Sequence, residues 1–274
     1  MPKAFTLVFL ALIVAPLAMG SVRSPPRRAA ISECFLFSRV DARGPAASDE
    51  QECRVTTAPA STFKIPHALI ALQTGVVSPG TVFRWDGSDY GFESWRRDHT
   101  LESAMKWSVL PYFQRTARLI GRERMRAGLS ALEYSSDTFD GDLSTFWIDG
   151  DLVLSPLEQF TFLRRLFSGD LPVAAHHRSA VEDALRMPSR RVTLAAGTFP
   201  FALEWPKATV LRAKTGNTTV NGERVSWLVG QLELNDAEYV FVARVRSREP
   251  LAPTAGAEFA RRRLNAHARP DMAR

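Results

Sequence analysis

The sequence predicts an α+β fold: one antiparallel sheet assembled from both ends of the chain, flanked by helices, with a helical lobe inserted between the two strand regions. Three observations carry that expectation. Cys34-Phe35-Leu36-Phe37-Ser38 is a short apolar run with two aromatic residues, which reads as a strand. From Ser61 to about Met187 the apolar residues recur mostly at helical spacing. From Val192 onward the period changes to runs rich in valine, threonine and aromatic residues, bounded by turn formers. Strands at the two ends with helices between them can bury their apolar faces only by forming layers.

The chain has 274 residues, of which 45% are hydrophobic, enough for one large domain or two intimate lobes around a sizeable core. Met1-Pro2-Lys3, an apolar stretch from Ala4 to Ala18 and small residues up to Gly20 have the order of a secretory signal peptide and are short for a membrane span. Residues 1–20 are therefore expected to be a signal peptide and 21–274 one exported domain, periplasmic and without membrane attachment after cleavage. Ser21 to Ala30, rich in proline and arginine, reads as a mobile arm. Cys34 and Cys53 are the only cysteines; export permits a disulfide between them, and two separate buried thiols fit nearly as well. Their spacing suits neither a redox pair nor a zinc site, so no metal is expected. The formal charge of +6 comes from scattered arginines without interleaved aromatics, which argues for solvated helix faces and against nucleic acid. A mildly basic exported protein still favours anionic small substrates.

Taken in order, the strand at Cys34–Ser38 is followed by a loop over Asp41 to Glu50 and a second short strand through Cys53 to Thr56. Ile65-Pro66-His67-Ala68-Leu69-Ile70-Ala71-Leu72 reads as a helix that Gly75 stops. Leu101 to Trp107 and Tyr112 to Ile120 are helical segments interrupted by a turn at Pro111, and Arg122 to Leu132 continues after Gly121. Ser155-Pro156-Leu157-Glu158 is a capping box with proline at the first helical position, opening a helix that lasts to Gly169. Its Phe160, Leu163 and Phe167 form an inward stripe, a core feature. Val192 to Ala196, Thr209 to Lys214, Val225 to Leu234 and Glu238 to Arg246 are strand-like, with a turn at Asn235-Asp236, and Ala255 to Leu264 closes the chain as a helix.

The chemistry centres on Ser61-Thr62-Phe63-Lys64. At the start of a helix, residues three apart project from one face, so hydroxyl and amine meet there. Serine needs a base to become a nucleophile, and an amine or modified amine supplies one. Unpaired N–H groups at the helix start favour an oxyanion or a carboxylated lysine. The plain alternative makes Ser61 or Thr62 an N-cap and Lys64 a solvated first-turn residue. Lys214-Thr215-Gly216 ends a predicted strand, where a cation and a hydroxyl would meet an anionic ligand and the glycine would let it approach the backbone.

Order and spacing decide between these readings. Ser-x-x-Lys opening a helix, a serine turn at Ser108 and Lys-Thr-Gly on a late strand form the set used by active-site serine enzymes that act on penicillin-type lactams. Pro59-Ala60-Ser61-Thr62-Phe63-Lys64-Ile65-Pro66, Phe83-Arg84-Trp85-Asp86-Gly87, Ser108-Val109-Leu110-Pro111-Tyr112-Phe113-Gln114, Phe146-Trp147-Ile148-Asp149-Gly150 and Ser155-Pro156-Leu157-Glu158-Gln159 closely resemble the class D beta-lactamases, the oxacillinases. The resemblance runs from about Cys34 to Leu264. It implies an α/β sandwich of the serine beta-lactamase and penicillin-binding type, acting on a small-molecule beta-lactam as monomer or homodimer. Ser61 would be the acylated nucleophile and Lys64 the base, carboxylated by carbon dioxide from bicarbonate, with no other cofactor. Trp147 would steady that group and Leu110 would wall it. Ser108 would relay protons to the leaving nitrogen, while Lys214, Thr215, Gly216, Asn217 and Tyr134 would meet the substrate. Backbone N–H groups of Ser61 and Asn217 would form the oxyanion hole.

Three positions depart from the family pattern. Tyr134-Ser135-Ser136 stands where an aromatic-glycine-asparagine turn is usual, and Leu110 where valine is more common. Ala252 occupies the place of the arginine that clamps the substrate carboxylate, which makes Arg244 and Arg246 the candidate replacements. Two other functions share the motif set: a penicillin-binding sensor that acylates and deacylates slowly, and a weakly catalytic scaffold homologue.

Overall fold

The computed structural model describes residues 31–268 apart from 43, 137, 206–208 and 235–236. The expected signal peptide, the arm and the Asn235-Asp236 turn lie outside those residues. The elements follow as β1 (Ser32–Arg39), β2 (Ala46–Ala47), α1 (Lys64–Gln73), α2 (Leu101–Lys106), α3 (Leu110–Ile120), α4 (Arg122–Leu132), α5 (Phe146–Asp149), α6 (Pro156–Ser168), α7 (Ala175–Ala184), β3 (Arg191–Leu194), β4 (Gly197–Pro200), β5 (Val210–Val220), β6 (Glu223–Leu234), β7 (Ala237–Ser247) and α8 (Ala255–His267).

The main sheet is antiparallel with strand order β2-β1-β7-β6-β5, so β1 from the beginning of the chain lies beside β7 from its end. Period-two alternation sorts the two faces. On β6, Val225, Trp227 and Val229 join the core of the helical lobe, while Leu228 and Leu232 join the core under α8; on β1, Leu36 and Phe35 divide in the same way. The helix carrying Lys64 is buried all round, from Lys64 to Leu72. A helix so enclosed has no solvated face on which a lysine could rest, so its polar residues must be used or neutralised.

Several expected elements differ in detail. The segment at Cys53 is not a strand: Glu52–Arg54 form a 3-10 turn, which aims Glu52 at β7. Pro111 does not interrupt a helix, because it occupies the first turn of α3, where its missing N–H is unused; the break falls at Ser108, whose φ is 55°. The first of the late strands is a separate hairpin, β3 with β4. Lys214-Thr215-Gly216 lies in the middle of β5, which continues to Val220 because β6 pairs with it along its whole length. The Ser155–Glu158 capping box is present as expected, and Tyr134 packs on Phe162 of the helix it opens.

Cys34 and Cys53 form a disulfide that ties the Glu52 turn to β1. Closing a loop of 19 residues constrains the unfolded chain by about 3 kcal/mol. The double replacement Cys34→Ser, Cys53→Ser is expected to lose about that much stability with the fold retained, as measured by urea unfolding with and without reductant.

Candidate active site

Ser61 lies in a 3-10 turn, Ala60–Phe63, that runs directly into α1. Ala60 takes a left-handed backbone conformation, φ 52°, which costs an alanine energy and marks a position held by its surroundings. Neither Ser61 nor Thr62 caps α1; the Thr62 hydroxyl donates instead to the Pro59 carbonyl at 2.7 Å. Lys64, one turn on, is completely buried, and its Nζ is hydrogen-bonded to Ser61 Oγ at 2.7 Å. Burial, aided by the charge of Lys214, holds the Lys64 ammonium far below the ordinary lysine value. The solvated-lysine alternative is therefore excluded by position.

A second hydroxyl–amine pair faces the first. Lys214 on β5 is buried, and its Nζ donates to Ser108 Oγ at 3.0 Å and to the Thr215 carbonyl at 3.0 Å. Burial pushes its pKa down to about 7. β5 brings Lys214 here by pressing on the Ser61 turn, and Gly216 makes that approach feasible. A Cβ at Gly216 would stand 3.0 Å from the Pro59 carbonyl oxygen and 3.1 Å from Thr62 Cγ2.

Ser61, Ser108, Leu110, Thr215 and Asn217 open onto one cleft of about 350 Å³. Trp147 lies deeper, fully buried and stacked on Phe63 at 5.4 Å, with its indole N–H lacking a partner among the described residues. Asn217 is exposed at the rim and donates through Nδ2 to the Pro253 carbonyl at 3.1 Å.

Tyr134, Arg244 and Arg246 neither line the cleft nor hydrogen-bond through their side chains to a residue that does. Tyr134 is enclosed against Phe63 and Phe162, and its hydroxyl donates to Gln159 Oε1 at 2.9 Å, so it supports the Ser61 turn from behind and touches no substrate space. Arg244 and Arg246 reach from β7 to the 52–57 segment, where both bind Glu52. Arg244 also donates to the Val55 carbonyl at 2.5 Å and the Glu52 carbonyl at 2.8 Å, and Arg246 to Glu223 at 3.0 Å. Glu52 thus fixes both guanidinium groups in the fold, and neither serves as a carboxylate clamp. No lysine or arginine lines the cleft among the described residues, and Ala252 is exposed beside the lining residue Pro253.

The rest of the wall was not foreseen. Phe92, Trp95, Ile148, Leu194–Ala196, Thr218 and Pro253 complete it. Thr218 Oγ1 donates to the Ile148 carbonyl at 2.6 Å, joining α5 to β5, and Ser94 Oγ donates to the Ala195 carbonyl at 2.7 Å, joining two loops. Ile148 falls inside one of the five recognisable blocks; the loop residues carry no local pattern that marks them.

A serine hydrogen-bonded to a buried amine, with a second serine–lysine pair on the edge strand of an antiparallel sheet, is the arrangement of an active-site-serine domain of the penicillin-binding type. The penicillin binding protein transpeptidase domain matches residues 41–264. Beta-lactamase OXA-48 of Klebsiella pneumoniae is 40% identical over 184 residues, 67% of this chain and 63% of that one, so the chain spans somewhat less than two thirds of this relative. Beta-lactamase OXA-10 of Pseudomonas aeruginosa is 32% identical over 216 residues, 77% of this chain and 75% of that one. The solved C-terminal domain of the Bacillus licheniformis BlaR penicillin-receptor superposes with a TM-score of 0.75 at 27% identity, covering 86% of this chain and 90% of that domain. The chain belongs to the class D beta-lactamase family.

The depressed pKa values have a measurable consequence. Lys214 titrates near 10.5 unfolded and near 7 folded, so between those values unfolding takes up a proton and stability rises with pH. Below about pH 7 both states are protonated and the full penalty of a buried ammonium remains. Lys214→Met is expected to raise the unfolding temperature at or below neutral pH, with the gain shrinking towards pH 10.5, as read by calorimetry across that range.

Proposed function

We propose that this chain is an exported serine beta-lactamase that hydrolyses beta-lactams through an acyl-enzyme on Ser61. One observation carries the reading: a fully buried lysine, held neutral by its surroundings, stands 2.7 Å from the serine hydroxyl. An N-terminal stretch with the order of a signal peptide supports export.

In the acylation step Ser61 Oγ attacks the lactam carbonyl carbon while the base at position 64 takes the hydroxyl proton. Backbone N–H groups of Ser61 and Asn217 hold the oxygen that becomes negative; β5 is the edge strand, so alternate N–H groups face away from β6. The lactam C–N bond then breaks, and Ser108, with Lys214 behind it, delivers a proton to the departing nitrogen. Ser108 is reprotonated by the proton that the base took from Ser61, which frees the base. In the second step water attacks the Ser61 ester, the base at position 64 takes a proton from that water and returns it to Oγ, and Oγ leaves as the free hydroxyl. The substrate carboxylate is received by the Thr215 hydroxyl at the cleft, with Lys214 buried behind Ser108 and no arginine among the described residues lining the cleft.

A neutral amine in an apolar pocket is the form that combines with carbon dioxide, and the unpartnered indole N–H of Trp147 provides a donor of the kind a carboxylated Lys64 requires. Trp147 and Leu110 would hold that group. Bound there, it would supply a carboxylate-like base in place of an amine.

The receptor reading shares the acylation step and lacks the second. Purified protein mixed with a chromogenic cephalosporin or a penicillin, with and without bicarbonate, distinguishes them when turnover and adduct mass are followed together. Sustained turnover raised by bicarbonate is expected; a stable adduct without turnover is the receptor's signature, and neither adduct nor turnover in folded protein overturns both. Ser61→Ala should abolish the adduct, and Lys64→Ala should retain an adduct whose release is slower by a factor of about 10² or more.

A further inference from the structure

His67 is a fully buried titratable side chain for which the mechanism above has no use. It lies one helical turn beyond Lys64 on α1, and it is fully enclosed. Its ring sits 5.6 Å from that of Phe63, 5.2 Å from that of Phe113 and 5.5 Å from the indole of Trp147, the last two edge-on. The ammonium nitrogen of Lys64 lies 5.4 Å from the centre of the same Phe113 ring. Lys64 and His67 therefore share the Phe113 ring, and His67 borders Trp147.

This neighbourhood is short of acceptors. Among the described residues neither ring nitrogen of His67 has a partner, nor does the Trp147 indole N–H, and each of these atoms is buried. A buried N–H without a partner costs about 1–3 kcal/mol, and native interiors rarely tolerate two so close together. The imidazole is neutral here: burial and the neighbouring Lys64 bring its pKa down to about 3. A neutral imidazole has one N–H to give and one nitrogen to receive. A carboxylate has two oxygens and accepts from several donors at once. Trp147 can satisfy one of them; the adjoining donor is His67.

We propose that His67 is a positioning residue for the base: its ring N–H donates to the carboxyl group that Lys64 would carry, beside the Trp147 indole. The inference rests on carboxylation of Lys64. It adds a second donor, beside the Trp147 indole, that recognises the group.

The test reads the modification itself. Protein equilibrated with ¹³C-bicarbonate is followed by ¹³C NMR for a carbamate resonance absent from Lys64→Ala. In His67→Phe, which keeps an aromatic ring and removes both nitrogens, half-maximal labelling is expected to need about tenfold more bicarbonate, as for loss of one hydrogen bond to a charged group. His67→Asn, which restores an N–H donor, should recover most of that loss. Equal labelling of wild type and His67→Phe, both folded by calorimetry, overturns the role of His67 and leaves carboxylation standing. No resonance in wild type at saturating bicarbonate overturns carboxylation, and the role of His67 with it. Because a substitution inside α1 can unfold the lobe, the same question is put to unsubstituted protein with ¹⁵N-histidine. The His67 ring N–H signal should move on addition of bicarbonate in wild type and stay still in Lys64→Ala; an unmoved signal in labelled wild type refutes the contact.

Discussion

Lys64 and Lys214 are both withdrawn from water where the sheet meets the helical lobe, and neither has a carboxylate partner among the described residues. An ammonium group so placed would cost several kcal/mol, and the cost is avoided by shedding the proton. Everything nearby serves that exclusion of water. α1 is enclosed on all sides, Gly216 lets β5 press against the Ser61 turn, and the aromatic rings of Phe63, Phe113 and Trp147 fill the space behind. Reactivity and burial are one property here, since a lysine admitted to solvent would be an ordinary cation with no capacity to act as a base.

Such a site draws on stability made elsewhere. Ala60 and Ser108 both hold left-handed backbone angles, each worth about 1–3 kcal/mol of strain. The compensation lies across the sheet. β1 is clamped between β2 and β7, the disulfide fastens the Glu52 turn to it, and the Glu52 carboxylate gathers Arg244 and Arg246 into one charged cluster. Arg244 is as buried as Lys64 and Lys214 but keeps its charge, because a carboxylate and backbone carbonyls surround it. The contrast with Lys64 shows how partner supply decides whether a buried base is structural or reactive.

How far the molecule was legible follows from the range of the interactions. The Ser61–Lys64 pairing is local, governed by helical spacing, and the capping box at Ser155 and Glu158 is equally so; both were readable from a few consecutive residues. Lys214 was recognisable, but its place in mid-strand was not, because the length of β5 is set by pairing with β6 and not by its own composition. Arg244 and Arg246 looked like spare cations, since nothing in the sequence says that Glu52, far away along the chain, turns towards them. Tyr134 was misplaced for the same reason: its partners Gln159 and Phe63 come from separate elements. The wall at Leu194–Ala196 and Pro253 exists only where distant loops converge, and loops carry no period to betray it.

That convergence has an evolutionary consequence. The cleft is floored by residues locked to one another, Ser61 with Lys64 and Ser108 with Lys214, while its sides come from the 92–95 loop, the 194–196 turn, Ile148 and Pro253. None of these side residues takes part in the hydrogen bonds among the four floor residues. Mutation can therefore remodel what the opening admits, one loop at a time, with the reactive centre unchanged. Selection acting on such a molecule would find its variation at the rim and its constancy in the floor.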